Sequence, residues 1–358
     1  MTFKTNAIGA LFVLVFSIIY GGCASAPKVL PPQRPWQKAA MKGYTQKTVD
    51  AFGSTFVIRV WPSNKPTVPT DQALNLAVAE IKRISKMADA TIPGGEVYQI
   101  SEKAHEAGVP ISAELANILI DCNRMYRMSD FRFDVTFTPF KDKADFTDAD
   151  FNRITDWDTK EPPTAKAVRL FGDRNMILDT EPSYRVRLYN QRIRVNLKGM
   201  IRGYAAERAI RILMKQGLGG IAVMADSFVG AIGTPLKDTN LMCIENPSVL
   251  GTCLYKITAS VPGKIMFFST SASTERRGQI FDPKETWMFR SGGVIVAGEN
   301  GGWVQFASTI SAVMDDLVLN PFFAKLKPAK LAGTYFIKGQ NAMLDGTLAP
   351  YATVTRIK

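Results

Sequence analysis

The sequence predicts an α+β fold, a single compact body of two interleaved subdomains with mixed sheets and packed helices. Three observations carry this. Strand-like and helix-like stretches are mixed along the chain without the regular strand–helix–strand rhythm of a doubly wound sheet. The apolar fraction is 46%, with no low-complexity tract, which suits a globular core. No internal repeat is visible.

The chain opens with Lys4, a mostly apolar run over residues 7–20, and then Gly21-Gly22-Cys23-Ala24-Ser25. A basic start, a short apolar segment and small residues before a cleavage point predict a secretory signal. The run is shorter than the ~20 apolar residues that span a bilayer. Cys23 directly after the small pair resembles a bacterial lipoprotein box, and the alternative is an ordinary signal peptide that contains a cysteine. Pro27, Pro31, Pro32 and Pro35 then make an extended tether. The expected division is residues 1–22 as signal peptide, 23–42 as lipidated cysteine and tether, and 43–358 as the folded body. The expected location is the periplasmic face of a membrane, the outer one in a diderm host.

Along the body, residues 56–61 form a β-rich run ending at Pro62. Residues 71–90 repeat apolar positions at Leu74, Val78, Ile81, Ile84, Met87 and Ala88, the period of a helix. Ser112 can cap a second helix whose apolar face holds Leu115, Ile118, Leu119, Cys122 and Met125. Basic and apolar residues alternate over 185–197, which predicts a hairpin turning at Tyr189-Asn190-Gln191. A third helix is expected over 202–216, stopped by Gly217. Strands are expected at 221–224, 254–260, 264–268 and 293–297, and a closing helix at 305–319.

Composition narrows the chemistry. The single histidine, His105, excludes multi-histidine metal sites and is expected in a solvated loop. Cys122 reads as core, and Cys243 with Cys253 is a possible disulfide in an exported protein. The net charge of +12 suits an anionic membrane surface, phosphate groups or an acidic partner, and the alternative is a solvated basic face. No nucleic-acid motif is present.

Several segments, in order, resemble the FAD:protein FMN transferases, the ApbE family. Phe52-Gly53-Ser54-Thr55-Phe56 is similar to that family's Met-Gly-Thr opening strand. Gly95-Glu96-Val97-Tyr98-Gln99-Ile100-Ser101 resembles its Ser-Glu segment. Ser129-Asp130-Phe131-Arg132-Phe133-Asp134-Val135-Thr136 is close to Ser-x-Gly-x-Phe-Asp-(Val/Pro)-Thr. The best match is Asn196-Leu197-Lys198-Gly199-Met200-Ile201-Arg202-Gly203-Tyr204-Ala205, similar to Asp-Leu-Gly-Gly-Ile-Ala-Lys-Gly-Tyr-Ala. Phe268-Ser269-Thr270-Ser271-Ala272 resembles Ala-Thr-Ser-Gly, and Gln279-Ile280-Phe281-Asp282-Pro283 resembles His-x-x-Asp-Pro.

The resemblance implies transfer of FMN from FAD to a Thr or Ser of an exported flavoprotein acceptor, with Mg²⁺ holding the pyrophosphate. It places cofactor contacts at Asp134, Arg202, Gly203, Tyr204, Asp226, Thr270 and Ser271. Glycines there are expected to let backbone approach the flavin dinucleotide. The metal would be held by Thr309, the backbone oxygen of Ile201 and the residue at 305. That residue is Gln305, where the family has Asp, and a neutral amide lacks the charge a hard cation needs. Gln279 stands for the family's histidine, while Asp282 is retained. Asp226-Ser227-Phe228 replaces a Gly-Gly-Asp turn. A shifted register would instead let Asp226, Asp315 or Asp316 supply the carboxylate. The expectation is an exported lipoprotein of this type with reduced or absent FMN transfer. The alternatives are a non-catalytic flavin- or phosphate-ligand-binding module and a membrane-surface scaffold.

Overall fold

The computed structural model describes residues 43–63, 66–136, 176–180, 182–189, 193–237, 242–246, 249–260, 263–272, 292–314, 316–337, 348 and 350–356. All of them belong to one compact unit, Arg34–Lys358. Cys23, Gln279, Asp282 and Asp315 lie outside the described residues. The elements run β1 (Thr45–Ala51), β2 (Ser54–Val60), α1 (Thr70–Ala88), α2 (Glu96–Lys103), β3 (Val109–Pro110) and α3 (Ala113–Met128). They continue with β4 (Met176–Asp179), β5 (Arg185–Leu188), α4 (Ile201–Lys215), β6 (Ile221–Ala225), β7 (Phe228–Ile232), β8 (Met242–Asn246) and β9 (Val249–Ala259). The last are β10 (Met266–Ala272), β11 (Gly292–Gly298), α5 (Gly301–Ser311), α6 (Asp316–Leu326), β12 (Leu331–Ile337) and β13 (Ala352–Arg356).

The central sheet has seven strands in the order β1-β2-β6-β7-β10-β11-β12, every neighbouring pair antiparallel. Its inner strands, such as β6 and β7, are apolar on both faces, so alternate side chains enter different cores. Phe267 joins one apolar cluster with helix residues Leu74, Ile81, Ile210, Leu213 and Phe306. Its neighbours Met266 and Phe268 join a second cluster with Ile257 of β9 and Ala352 of β13. Helices therefore cover one face, and residues of the small β13-β9-β8 sheet pack on the other. The mixed α+β architecture follows from this layering.

The helices form where the period placed them. In α1, Leu74, Ile81 and Ile84 are fully buried, each contributing about 1.5–3 kcal/mol of burial. Ser112 caps α3, its Oγ accepting from the Leu115 N–H at 3.2 Å. Cys122 is buried, and burial pushes its thiol well above the ordinary range. The closing helix is corrected: Asn300 caps an earlier start, its Oδ1 accepting from Trp303 N–H at 3.0 Å, and α5 ends at Ser311 before α6 begins.

The hairpin expected about residues 189–191 is also corrected. β5 pairs with β4 and β3 instead. The second arm runs into the core, where Ile193, Val195 and Leu197 are buried and Val195 N–H donates to Ser101 Oγ at 3.1 Å. Cross-strand pairing thus lost to burial against α2. His105 is half-buried in a turn after α2 rather than solvated, with Nε2 3.6 Å from Glu106. The register of β8 and β9 sets Cys243 opposite Lys256 and Cys253 opposite Glu245, not opposite each other. No described helix is long and apolar enough to cross a membrane.

An ionic network ties α1, α3 and α4 together. Arg83 reaches Glu80 at 2.8 Å and Glu114 at 2.7 Å, Arg208 reaches Glu80 at 3.2 Å, and Tyr204 donates to Glu114 at 2.8 Å. Hydrogen bonds from Arg83 hold both glutamic acids below their ordinary value of 4.5. Carboxyls depressed in this way stabilise the fold above pH 4.5, and that stability is lost as pH falls through their folded values. Because Arg83 is half-exposed, the contribution is modest, about 1 kcal/mol. Denaturant titrations at pH 7 and below 4.5 should show the parent losing more stability than Arg83→Met. Equal losses would remove the network from the acid response.

Candidate functional site

Three segments converge at the start of α4: the turn 196–200, the loop 129–136 and the first turns of α5. The turn is closed locally, with Asn196 Oδ1 accepting from Lys198 N–H at 2.9 Å and Ile201 N–H donating to Leu197 O at 3.0 Å. Asn196 N–H donates to Val135 O at 2.7 Å, which docks the turn on the loop. Phe133 lies under Gly199, where an added Cβ would come within 2.7 Å of its ring. Phe133 in turn packs edge-on against Phe306 of α5, centroids 4.8 Å apart.

Gln305 is the centre of this meeting. It is only 4% exposed, yet both ends of its amide are matched. Its Oε1 accepts from Gly203 N–H at 2.8 Å, and its Nε2 donates to Lys198 O at 2.9 Å. Thr309, one turn on, has its hydroxyl 3.5 Å from Gly199 O. The carbonyls facing this pair are therefore those of Lys198 and Gly199. Ile201, expected to offer its own carbonyl, is the first residue of α4, where that oxygen points along the helix axis.

A divalent cation does not fit these residues. A neutral amide has its N–H directed at the carbonyl a cation would need, and the remaining donor is a hydroxyl. Among the described residues no group of three His, Cys, Asp or Glu could hold a metal. Asp226 does not rescue the site. Its carboxylate pairs with Arg202 and accepts from Ser54 Oγ at 2.5 Å, while Arg202 also donates to Ser54 Oγ at 2.9 Å. Asp226 sits in the β6–β7 turn at φ +48, a conformation Asp tolerates.

The other expected contacts are used within the protein. Gly203 is approached by backbone of α5 rather than kept open: an added Cβ would lie 2.1 Å from Gly301 O. Tyr204 donates its hydroxyl to Glu114, and burial with that carboxylate pushes its phenol up. Asp134 Oδ1 accepts from Thr136 N–H at 2.8 Å and its hydroxyl at 2.6 Å, an Asx turn. Thr270 N–H donates to Ser227 O at 3.0 Å. Ser271 Oγ lies 3.2 Å from Ser308 Oγ, which also meets Ser269 Oγ at 2.6 Å. Phe228 fills the core and stacks on Phe267 at 5.9 Å, so the turn's third position packs inward.

Sequence reasoning missed Glu207. It is buried on α4, accepts from Gly301 N–H at 2.8 Å and pairs with Arg211 at 2.7 Å, joining the middle of α4 to the start of α5. A carboxylate one turn after Gly203, on the apolar face, was the available signal. The loop keeps a further trace of its pattern. Phe131 holds φ +69 where the resemblance has glycine, with its ring 51% exposed and 5.0 Å from Tyr126. Among the described residues, Met200, Tyr204, Arg208, Asn300 and Trp303 line a cleft of about 160 Å³. That is smaller than the ~300–1,000 Å³ typical of small-molecule sites.

A family model described as the ApbE family matches residues 52–315. The fold is similar to that of the ApbE protein from Thermotoga maritima, at 18% identity and a TM-score of 0.66, covering 86% of this chain and 98% of that one. It is similar to the flavin transferase ApbE from Vibrio cholerae, at 12% identity and a TM-score of 0.64, covering 86% and 99%. The flavinyl transferase ApbE of Pseudomonas stutzeri in its apo form matches at 15% identity and a TM-score of 0.59, covering 87% and 94%. At these identities the likeness is one of fold. No curated protein matches the sequence.

Proposed function

The chain belongs to the ApbE family, and on that footing we propose that it is an exported, lipid-anchored relative of the FAD:protein FMN transferases whose transfer to an acceptor protein is reduced or absent. One observation carries the loss of transfer. The residue standing for the family's metal-holding aspartate is an amide, and its two ends are bonded to Gly203 N–H and Lys198 O. Phosphoryl chemistry needs positive charge against the developing phosphate; a bound cation would supply it, and Gln305 lacks the carboxylate charge that would hold one. Incubation with FAD, Mg²⁺ and a Thr-containing acceptor, followed by mass spectrometry, should show little or no added FMN. Robust flavinylation of any acceptor by the pure protein would overturn this.

A second reading, a non-catalytic module holding a flavin or another phosphate-bearing ligand, is favoured by Arg202 in the first turn of α4. A helix start and a guanidinium both suit a phosphate, which would take Arg202 in exchange for Asp226. Fluorescence titration of FAD would then give the same affinity with and without Mg²⁺. The lipid anchor is tested separately: Cys23→Ser should move the protein from the detergent phase to the aqueous phase, and unchanged partition would rule the anchor out.

A further inference from the structure

We propose that the Gln305 carboxamide takes the structural place of a bridging cation, closing the 198–203 turn onto α5 without metal. The amide orientation is forced by its neighbours. Gly203 N–H can only donate, so it meets Oε1; Lys198 O can only accept, so it meets Nε2. A carboxylate at this position could satisfy the first partner but would set oxygen against oxygen at the second. With that carboxylate ionised, only a cation between them would make the arrangement favourable, and the amide proton does the same work. The Thr309 hydroxyl is placed in the same sense, toward Gly199 O. Two successive carbonyls of the turn are thus each faced by a side chain of α5 one helical turn apart. Burial of Gln305 excludes the water that would otherwise screen a mismatch.

The inference deepens the reading of lost transfer, since it says what replaced the metal. It is read by unfolding, so its failure and the detection of transfer are separate results. The experiment is thermal unfolding of the full chain, with EDTA or millimolar Mg²⁺, for the parent, Gln305→Glu and Gln305→Leu. The parent should melt at the same temperature in both buffers. Gln305→Glu keeps the shape and the Gly203 bond, and in EDTA should melt about 5 °C lower. Mg²⁺ should restore most of that loss, because a cation can sit between the new carboxylate and the Lys198 carbonyl. Gln305→Leu should fall in both buffers, with no Mg²⁺ response.

Three results would overturn the proposal. They are a parent stabilised by Mg²⁺, a Gln305→Glu protein as stable as the parent in EDTA, or one that falls without Mg²⁺ rescue. Should neither variant fold, the parent's response to Mg²⁺ still decides: stabilisation would mean that a metal site survives.

Discussion

Gly203→Ala is expected to cost about 3 kcal/mol or more and to separate α4 from α5. The added Cβ would lie 2.1 Å from Gly301 O, and the reverse substitution at Gly301 would meet Gly203 O at 2.3 Å. Both obstacles are backbone in helices, so no side-chain rotation relieves them. The helices must move apart, and two buried bonds at the crossing would go with them. These are Gly203 N–H to Gln305 and Gly301 N–H to Glu207. Each polar group left unpaired costs roughly 1–3 kcal/mol. Gly302→Ala is the matched control. Its Cβ would meet the Met200 Cε at 3.0 Å, the free end of a flexible side chain, and alanine favours a helix. Denaturant unfolding of both variants checks the contrast. A Gly203→Ala protein within about 1 kcal/mol of the parent would show that the crossing can relax.

Phe306→Ala should be as damaging, at about 3–5 kcal/mol. The ring is fully buried and meets Phe133 at 4.8 Å, Trp303 at 5.9 Å and Phe322 at 6.2 Å, all edge-on. It therefore joins the 129–136 loop, α5 and α6. Removing it leaves a cavity under Phe133, the side chain on which Gly199 rests. The turn 196–200 should loosen with the core, visible as faster hydrogen exchange at the Gly203 N–H. Global destabilisation without added exchange there would detach the turn from the aromatic cluster.

The proposed lack of transfer and the observed fold are compatible because they depend on different groups. Apolar faces of the sheet and helices hold the body together, and none of them needs a charge at position 305. Replacing a carboxylate with an amide removes chemistry while leaving a bond that packing can use. Arg202, Asp226 and Ser54 make the same point, since these charged and polar groups are satisfied by one another at the surface of the fold.

The amphipathic helices were legible in the sequence because their signal is local. Leu74, Ile81 and Ile84 lie one or two turns apart, and Ser112 caps the helix that begins at its own next residue. The departure at Gln305 was legible too, as a residue type standing where charge was expected. Order along the chain also carried the family resemblance, which the match over residues 52–315 supports. The strand pairing and the roles of the polar residues were decided only by tertiary structure. Residues 193–197 alternate like a strand, yet burial of Ile193, Val195 and Leu197 gave them a helix end and a loop as partners. Gly203 read only as a glycine of a family motif, and it took the fold to set its Cβ side against Gly301, 98 residues away in the sequence. A period along one element reveals which face is apolar. It carries no information about what covers that face, because close approach and hydrogen-bond pairing are set between elements far apart in the chain.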